Sequence, residues 1–206
     1  MIERADPTIR PSLTKGRTKF TYYAGMKRIP EGSAPPTRNR DFSVTADVEI
    51  PAGGAEGVLG TMGGRFGGWG MSLMDSVPRF DYAASNQAKH HYRIAGKDKL
   101  SPGKHTIRFD FKYDGGGVGK GATGILSVNG KEVARGRMEI TVDFRFSLDE
   151  CLDIGEDTGT PVAEDYADRM PFRFTGTLRR LVIELGNEQG GAPDAKQFKK
   201  LQDLFD

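Results

Sequence analysis

The residues able to do chemistry fall into four groups. The first is acidic. Glu150, Asp153 and Glu156 lie at three-residue intervals, and paired carboxylates are the groups that break glycosidic bonds. In an extended strand Glu150 and Glu156 share a face, with Leu152 and Ile154 between them, while Asp153 points the other way. That is a poor arrangement for a reacting pair. Asp149, Asp153, Glu156 and Asp157, followed by Glu164-Asp165, instead form an oxygen-rich stretch of the type that holds calcium. The same carboxylates suit a turn in which they accept hydrogen bonds from the backbone and from Thr158 or Thr160. The second group is His90, His91 and His105. Adjacent histidines diverge on a strand, so a shared zinc ion is disfavoured. The third is Asp114 to Gly121, a glycine-rich loop with Lys120 at hand. A phosphate-cradling loop needs a helix after it, and the β-forming run from Thr123 reads instead as the second arm of a hairpin. The fourth is Gly63-Gly64-Arg65-Phe66-Gly67-Gly68-Trp69-Gly70-Met71-Ser72-Leu73, where a basic and an aromatic residue interrupt a glycine-rich turn.

That last stretch is the centre of the chain. Trp69, Met71 and Leu73 recur at every second residue, the period of a half-buried strand. Gly68, Gly70 and Ser72 make the opposite face flat and small. Two readings follow: a hairpin with its tryptophan in the core, or a groove in which Arg65, Phe66 and the flat face meet a ligand. Arg65, Phe66, Trp69, Arg79, Tyr82 and Tyr92 are the candidates for a contact surface, with arginine forks suited to oxyanions.

The elements that must position these groups are strands. Phe42, Val44, Ala46, Val48 and Ile50 alternate with polar residues, as do Ile107, Phe109, Phe111 and Tyr113, and again Leu181, Ile183 and Leu185. Asn129-Gly130 between two β-forming runs predicts a type I′ hairpin. Further short strands are expected at Thr18–Tyr23, Val58–Met62, Pro78–Tyr82 and Tyr92–Ile94. Twenty-eight glycines and 11 prolines are spread along 206 residues, and turns joining strands without helices between them imply an antiparallel sandwich or jelly roll. Residues 1–190 read as one such sandwich. Residues 191–206 read as a helical tail, capped by Asp194, with Phe198, Leu201, Leu204 and Phe205 on one face.

A net charge of +2 is too small for a nucleic-acid surface. The N-terminal part is basic and the stretch from Asp149 to Asp168 carries acids alone, so the two can pair with each other, face partners, or stand solvated. Cys151 is the one cysteine, which excludes an internal disulfide. No signal peptide or apolar membrane-length run is visible. A cytoplasmic location is expected for a complete gene product, and a periplasmic or secreted one for a piece of an exported enzyme.

Several co-linear segments resemble the C-terminal β-sandwich region of bacterial arylsulfatases: Arg17 to Pro35, Gly63 to Trp69, Tyr92-Arg93-Ile94, Tyr113 to Gly121, and Asp149 to Val162. The resemblance implies an all-β, concanavalin A-like or laminin-G-like fold. It also implies a non-catalytic accessory role, packing on a sulfatase catalytic domain or binding carbohydrate or sulfated ligands. The Cys/Ser-x-Pro-x-Arg signature of the sulfatase nucleophile is absent, since Cys151 is followed by Leu152, Asp153 and Ile154. A lectin-like carbohydrate-binding module and a small jelly-roll glycosidase are the alternative readings.

Overall fold

The computed structural model describes residues 13–189. The strands are β1 (Lys19–Tyr22), β2 (Ile29–Pro30), β3 (Arg40–Ile50), β4 (Gly57–Gly64), β5 (Gly67–Met74) and β6 (Val77–Ala83), then β7 (His91–Ala95), β8 (Gly103–Tyr113), β9 (Ala122–Val128), β10 (Lys131–Met138), β11 (Cys151–Ile154) and β12 (Thr177–Glu188). Helical structure among the described residues is confined to short 3-10 turns at Glu31–Ser33, Ala88–His90 and Glu164–Arg169. The expected tail helix lies outside the described residues.

The strands form two six-stranded sheets, ordered β1-β12-β3-β8-β9-β10 and β2-β11-β4-β5-β6-β7. The strand pairings within both are antiparallel. The all-β sandwich expected from the alternating runs is therefore the fold. The inward residues of β3, Phe42, Val44, Ala46, Val48 and Ile50, are all buried and face the buried Trp69, Met71, Leu73, Phe80 and Tyr82 of the other sheet within one core. Ring stacking ties the layers together: Phe80 lies parallel to Phe109 with centroids 3.6 Å apart, and Trp69 stacks on Phe80 at 5.8 Å. The Trp69 indole donates to Thr37 Oγ1 at 3.2 Å, so its polar edge is satisfied inside the core.

Two turns carry local information. Asn129 and Gly130 have φ of 51° and 80°, the conformation a type I′ hairpin requires. Asp75 and Ser76 adopt φ of 51° and 66° without any glycine; the Ser76 hydroxyl accepts from the Ala55 amide at 2.9 Å and helps hold that strained turn. Of the apolar stretch Phe144 to Ile154, Cys151–Ile154 forms a strand, and it ends where Gly155 turns to φ 83°.

One departure from the sequence reading matters for function. β5 is buried on both faces, not one. The segment 155–176, hereafter the strap, runs across the outer face of the second sheet. Val58, Ala163, Tyr166 and Phe172 form a small apolar cluster there, separate from the main core.

Candidate functional site

The acidic stretch is held together as a turn. Asp153, on β11, accepts the Arg28 amide at 2.5 Å through one oxygen and the Thr158 amide and hydroxyl at 3.0 and 2.5 Å through the other. Glu150 accepts the Thr160 amide at 2.9 Å. Glu156 is ion-paired to Lys27 at 2.6 Å and Arg173 at 3.3 Å; the hydrogen bond from Lys27, foremost, holds its carboxyl below the usual range. Asp157 accepts from the Tyr166 hydroxyl at 2.8 Å and the Gly159 amide at 3.2 Å. Asp149 is exposed. Among the described residues no group of three or more His, Cys, Asp or Glu side chains is arranged to hold a metal ion. The extended strand assumed for Glu150 to Glu156 does not form, because Gly155 breaks it.

The histidines serve local geometry. His90 and His91 both bond to Ser85, at 2.8 and 2.7 Å, and His105 bonds to the Ser101 carbonyl at 2.8 Å. The glycine-rich loop joins β8 to β9 and folds onto Tyr113, whose hydroxyl donates to the Gly117 carbonyl at 2.6 Å and accepts from the Lys120 amide at 2.9 Å.

The six candidate contact residues do not share an exposed surface. Trp69 and Tyr82 are core residues, and the Tyr82 hydroxyl accepts from the Val142 amide at 3.0 Å. Tyr92 is half-buried and accepts from the Ile140 amide at 3.3 Å. Arg79 is buried beneath the strap. Arg65 and Phe66 alone stand out, at the tip of the β4–β5 hairpin, with Phe66 61% exposed. The flat face is not an open groove. A Cβ added at Gly64 would sit 2.7 Å from the Thr160 carbonyl oxygen, and one at Gly70 would touch Val162 at 3.8 Å. Gly64 on β4 leaves room for the chain's own strap, and Val162 of the strap packs over Gly70 of β5.

Beside the strap, a cleft of about 250 Å3 remains open between β6, β7 and residues Val162–Asp165. A charge network runs from its walls to the buried Arg79 beneath. Arg79 Nε donates to Ser72 Oγ at 3.1 Å and lies 3.0 Å from Asp81 Oδ2. Arg79 Nη1 and Nη2 grip both oxygens of Asp165, at 2.7 and 2.9 Å. Arg93 reaches Asp81 at 2.7 Å through Nε and Asp165 at 2.9 Å through Nη1. Burial raises Asp81 despite both arginines. At Asp165 burial also works upward, but the hydrogen bonds and charge of Arg79 and Arg93 win and hold the carboxyl below its usual range. Arg65 joins from the rim: Nη1 meets Glu164 Oε1 at 3.0 Å, and its guanidinium lies 5.0 Å above the Phe66 ring.

Arg79 and Asp81 alternate with Phe80 and Tyr82 on β6, and Asp81 faces Arg93 across the β6–β7 ladder. Opposite charges at alternate positions of neighbouring strands were a sequence signal for this network, and Asp81 and Arg93 are the residues that reading missed; Glu164 and Asp165, read there as part of an oxygen-rich stretch, belong to this network instead. Chemically, the cleft offers carboxylate acceptors and a guanidinium donor, and the exposed Phe66 ring is tied to its wall through Arg65 and Glu164.

No family model matches the chain, and no curated protein matches it in sequence. Among solved structures, it is similar to the Ruminococcus gnavus IT-sialidase CBM40 bound to alpha2,6 sialyllactose, with a TM-score of 0.53 at 10% identity over 82% of this chain and 90% of that one. The same module bound to alpha2,3 sialyllactose gives a TM-score of 0.52 at 9% identity over 82% and 89%. These likenesses establish a shared fold, the lectin-like jelly-roll sandwich. None of these comparisons supports the arylsulfatase resemblance. No helix among the described residues is long and apolar enough to cross a membrane.

Proposed function

We propose that this chain is a lectin-like carbohydrate-binding module whose ligand docks at the cleft beside β6 and β7. The observation that carries the reading is the link Arg65 makes between Phe66, a large exposed ring, and Glu164 in the wall of the cleft. A sugar presents an apolar C–H face and a rim of hydroxyls. The ring suits the first, and Asp81, Arg93 and Glu164 suit the second. Small-ligand sites are concave, with apolar lining and a few placed polar groups, and the cleft has both. The shared fold with a sialidase module bound to sialyllactose supports the same reading.

The test is a glycan array followed by calorimetry on the leading glycan. Phe66→Ala and Arg65→Ala are expected to weaken binding at least tenfold, about 1.4 kcal/mol, with unchanged thermal stability because both side chains are surface groups. An array with no glycan above background, or full affinity in both variants, overturns the proposal.

A further inference from the structure

Arg79 is 4% exposed, yet both terminal nitrogens of its fork point away from the core toward the strap and close on a single carboxylate. Arg93 Nη1 reaches the same carboxylate. Three guanidinium nitrogens between 2.7 and 2.9 Å from Asp165 make a receptor whose planar geometry fits a carboxylate. The occupant is not part of the sheet that builds the receptor. Asp165 lies in the 3-10 turn Glu164–Arg169 of the strap, and its side chain is 41% exposed. The open cleft runs up to Arg93 and Asp165 from solvent, so a small anion can approach without crossing the core.

Charge balance sharpens the point. Arg79 and Arg93 face Asp81 and Asp165, and the four cancel. Without Asp165, the buried Arg79 and the half-exposed Arg93 are left to share one carboxylate, which is unfavourable for the buried guanidinium.

We propose that the Arg79–Arg93 fork is a binding site for the carboxylate of an acidic saccharide, and that Asp165 is an internal occupant that competes with that ligand. The saccharide half rests on the proposed carbohydrate-binding function; the carboxylate half does not. Displacement of Asp165 exchanges one carboxylate for another on the same three nitrogens, with no bond made or broken.

The experiment uses the full chain with Asp165→Ala, and Asp165→Asn should the alanine variant not fold. Thermal melts are run with sodium acetate and with sodium chloride at equal ionic strength, and calorimetry compares glucuronic acid with glucose. Acetate is expected to restore at least half of the variant's lost melting temperature, chloride to restore none, and Arg93→Gln in the same background to remove the rescue. Glucuronic acid is expected to bind the variant at least tenfold more tightly than the wild type, with glucose indifferent to the substitution. Equal effects of acetate and chloride overturn the site. Acetate rescue without a glucuronic acid gain overturns the saccharide assignment. Neither result touches the Phe66 test, so failure here is separable from failure of the general carbohydrate reading.

Discussion

Among the described residues, no cation is paired with Asp157. It is 1% exposed, with a phenol and an amide as partners and with Asp153 and Glu150 nearby. Burial pushes its carboxyl from 3.8 up to about 6, against the hydrogen bonds of Tyr166 and Gly159 and with help from the two neighbouring acids. A folded-state value above the unfolded one means that the native state holds the proton longer. Stability from this group is therefore greatest in acid and falls as pH rises from roughly 4 to roughly 6, by about 3 kcal/mol, and then levels. Asp157→Asn carries no such proton. Its stability relative to wild type is expected to climb across that window and stay flat above it, as read by urea titration at each pH. The comparison must be made as a difference, because Glu156 and Asp165, held low, push the wild-type curve the other way. A difference that does not change between those pH values sinks the assignment.

At the scale of elements, the strap is the part least visible beforehand. The alternation of Trp69, Met71 and Leu73 is legible because large apolar residues at period two have one sensible destination. Gly68, Gly70 and Ser72 are silent, since small residues fit equally well against solvent and against another segment of chain. The acids of residues 149–168 were legible as a turn, through their partners Thr158 and Thr160, but not as a cover, because covering depends on where a long connection crosses the sheet. The strap's apolar anchor is small and mostly apart from the main core, with Phe172 stacked on Tyr166 at 5.0 Å, and Phe174 alone joins the main cluster. Such a unit opens on its own. Phe172→Ala is expected to cost about 3 kcal/mol or more within the strap. Hydrogen exchange checks this: the amides of Val162 and Phe174, which bond to Tyr166 and Gly155, should gain exchange more than those of β3 and β8. Uniform acceleration throughout the chain means that strap and sandwich are one cooperative unit.

For the molecule as a whole, the sheet order was not readable from periodicity. Each strand's inner face follows from its own residues, whereas β12 sitting between β1 and β3 follows from pairings between residues such as Phe42 and Leu185 that are far apart in sequence. What joins the layers is the ring contact chain from Phe42 through Trp69 and Phe80 to Phe109, which crosses from one sheet to the other and back. Trp69, the one tryptophan of the chain, sits within it at 1% exposure, so its fluorescence reports the joint between sheets while far-UV circular dichroism reports the strands. One core cluster draws side chains from both sheets, so neither sheet keeps its inner apolar face covered if the other leaves. The two signals are expected to fall in one coincident transition during urea unfolding, with the emission shifting to the red as the indole meets water. A tryptophan transition that runs ahead of the loss of β signal would mean that the sheets part while still folded. The stacked rings would then not be what holds this sandwich together.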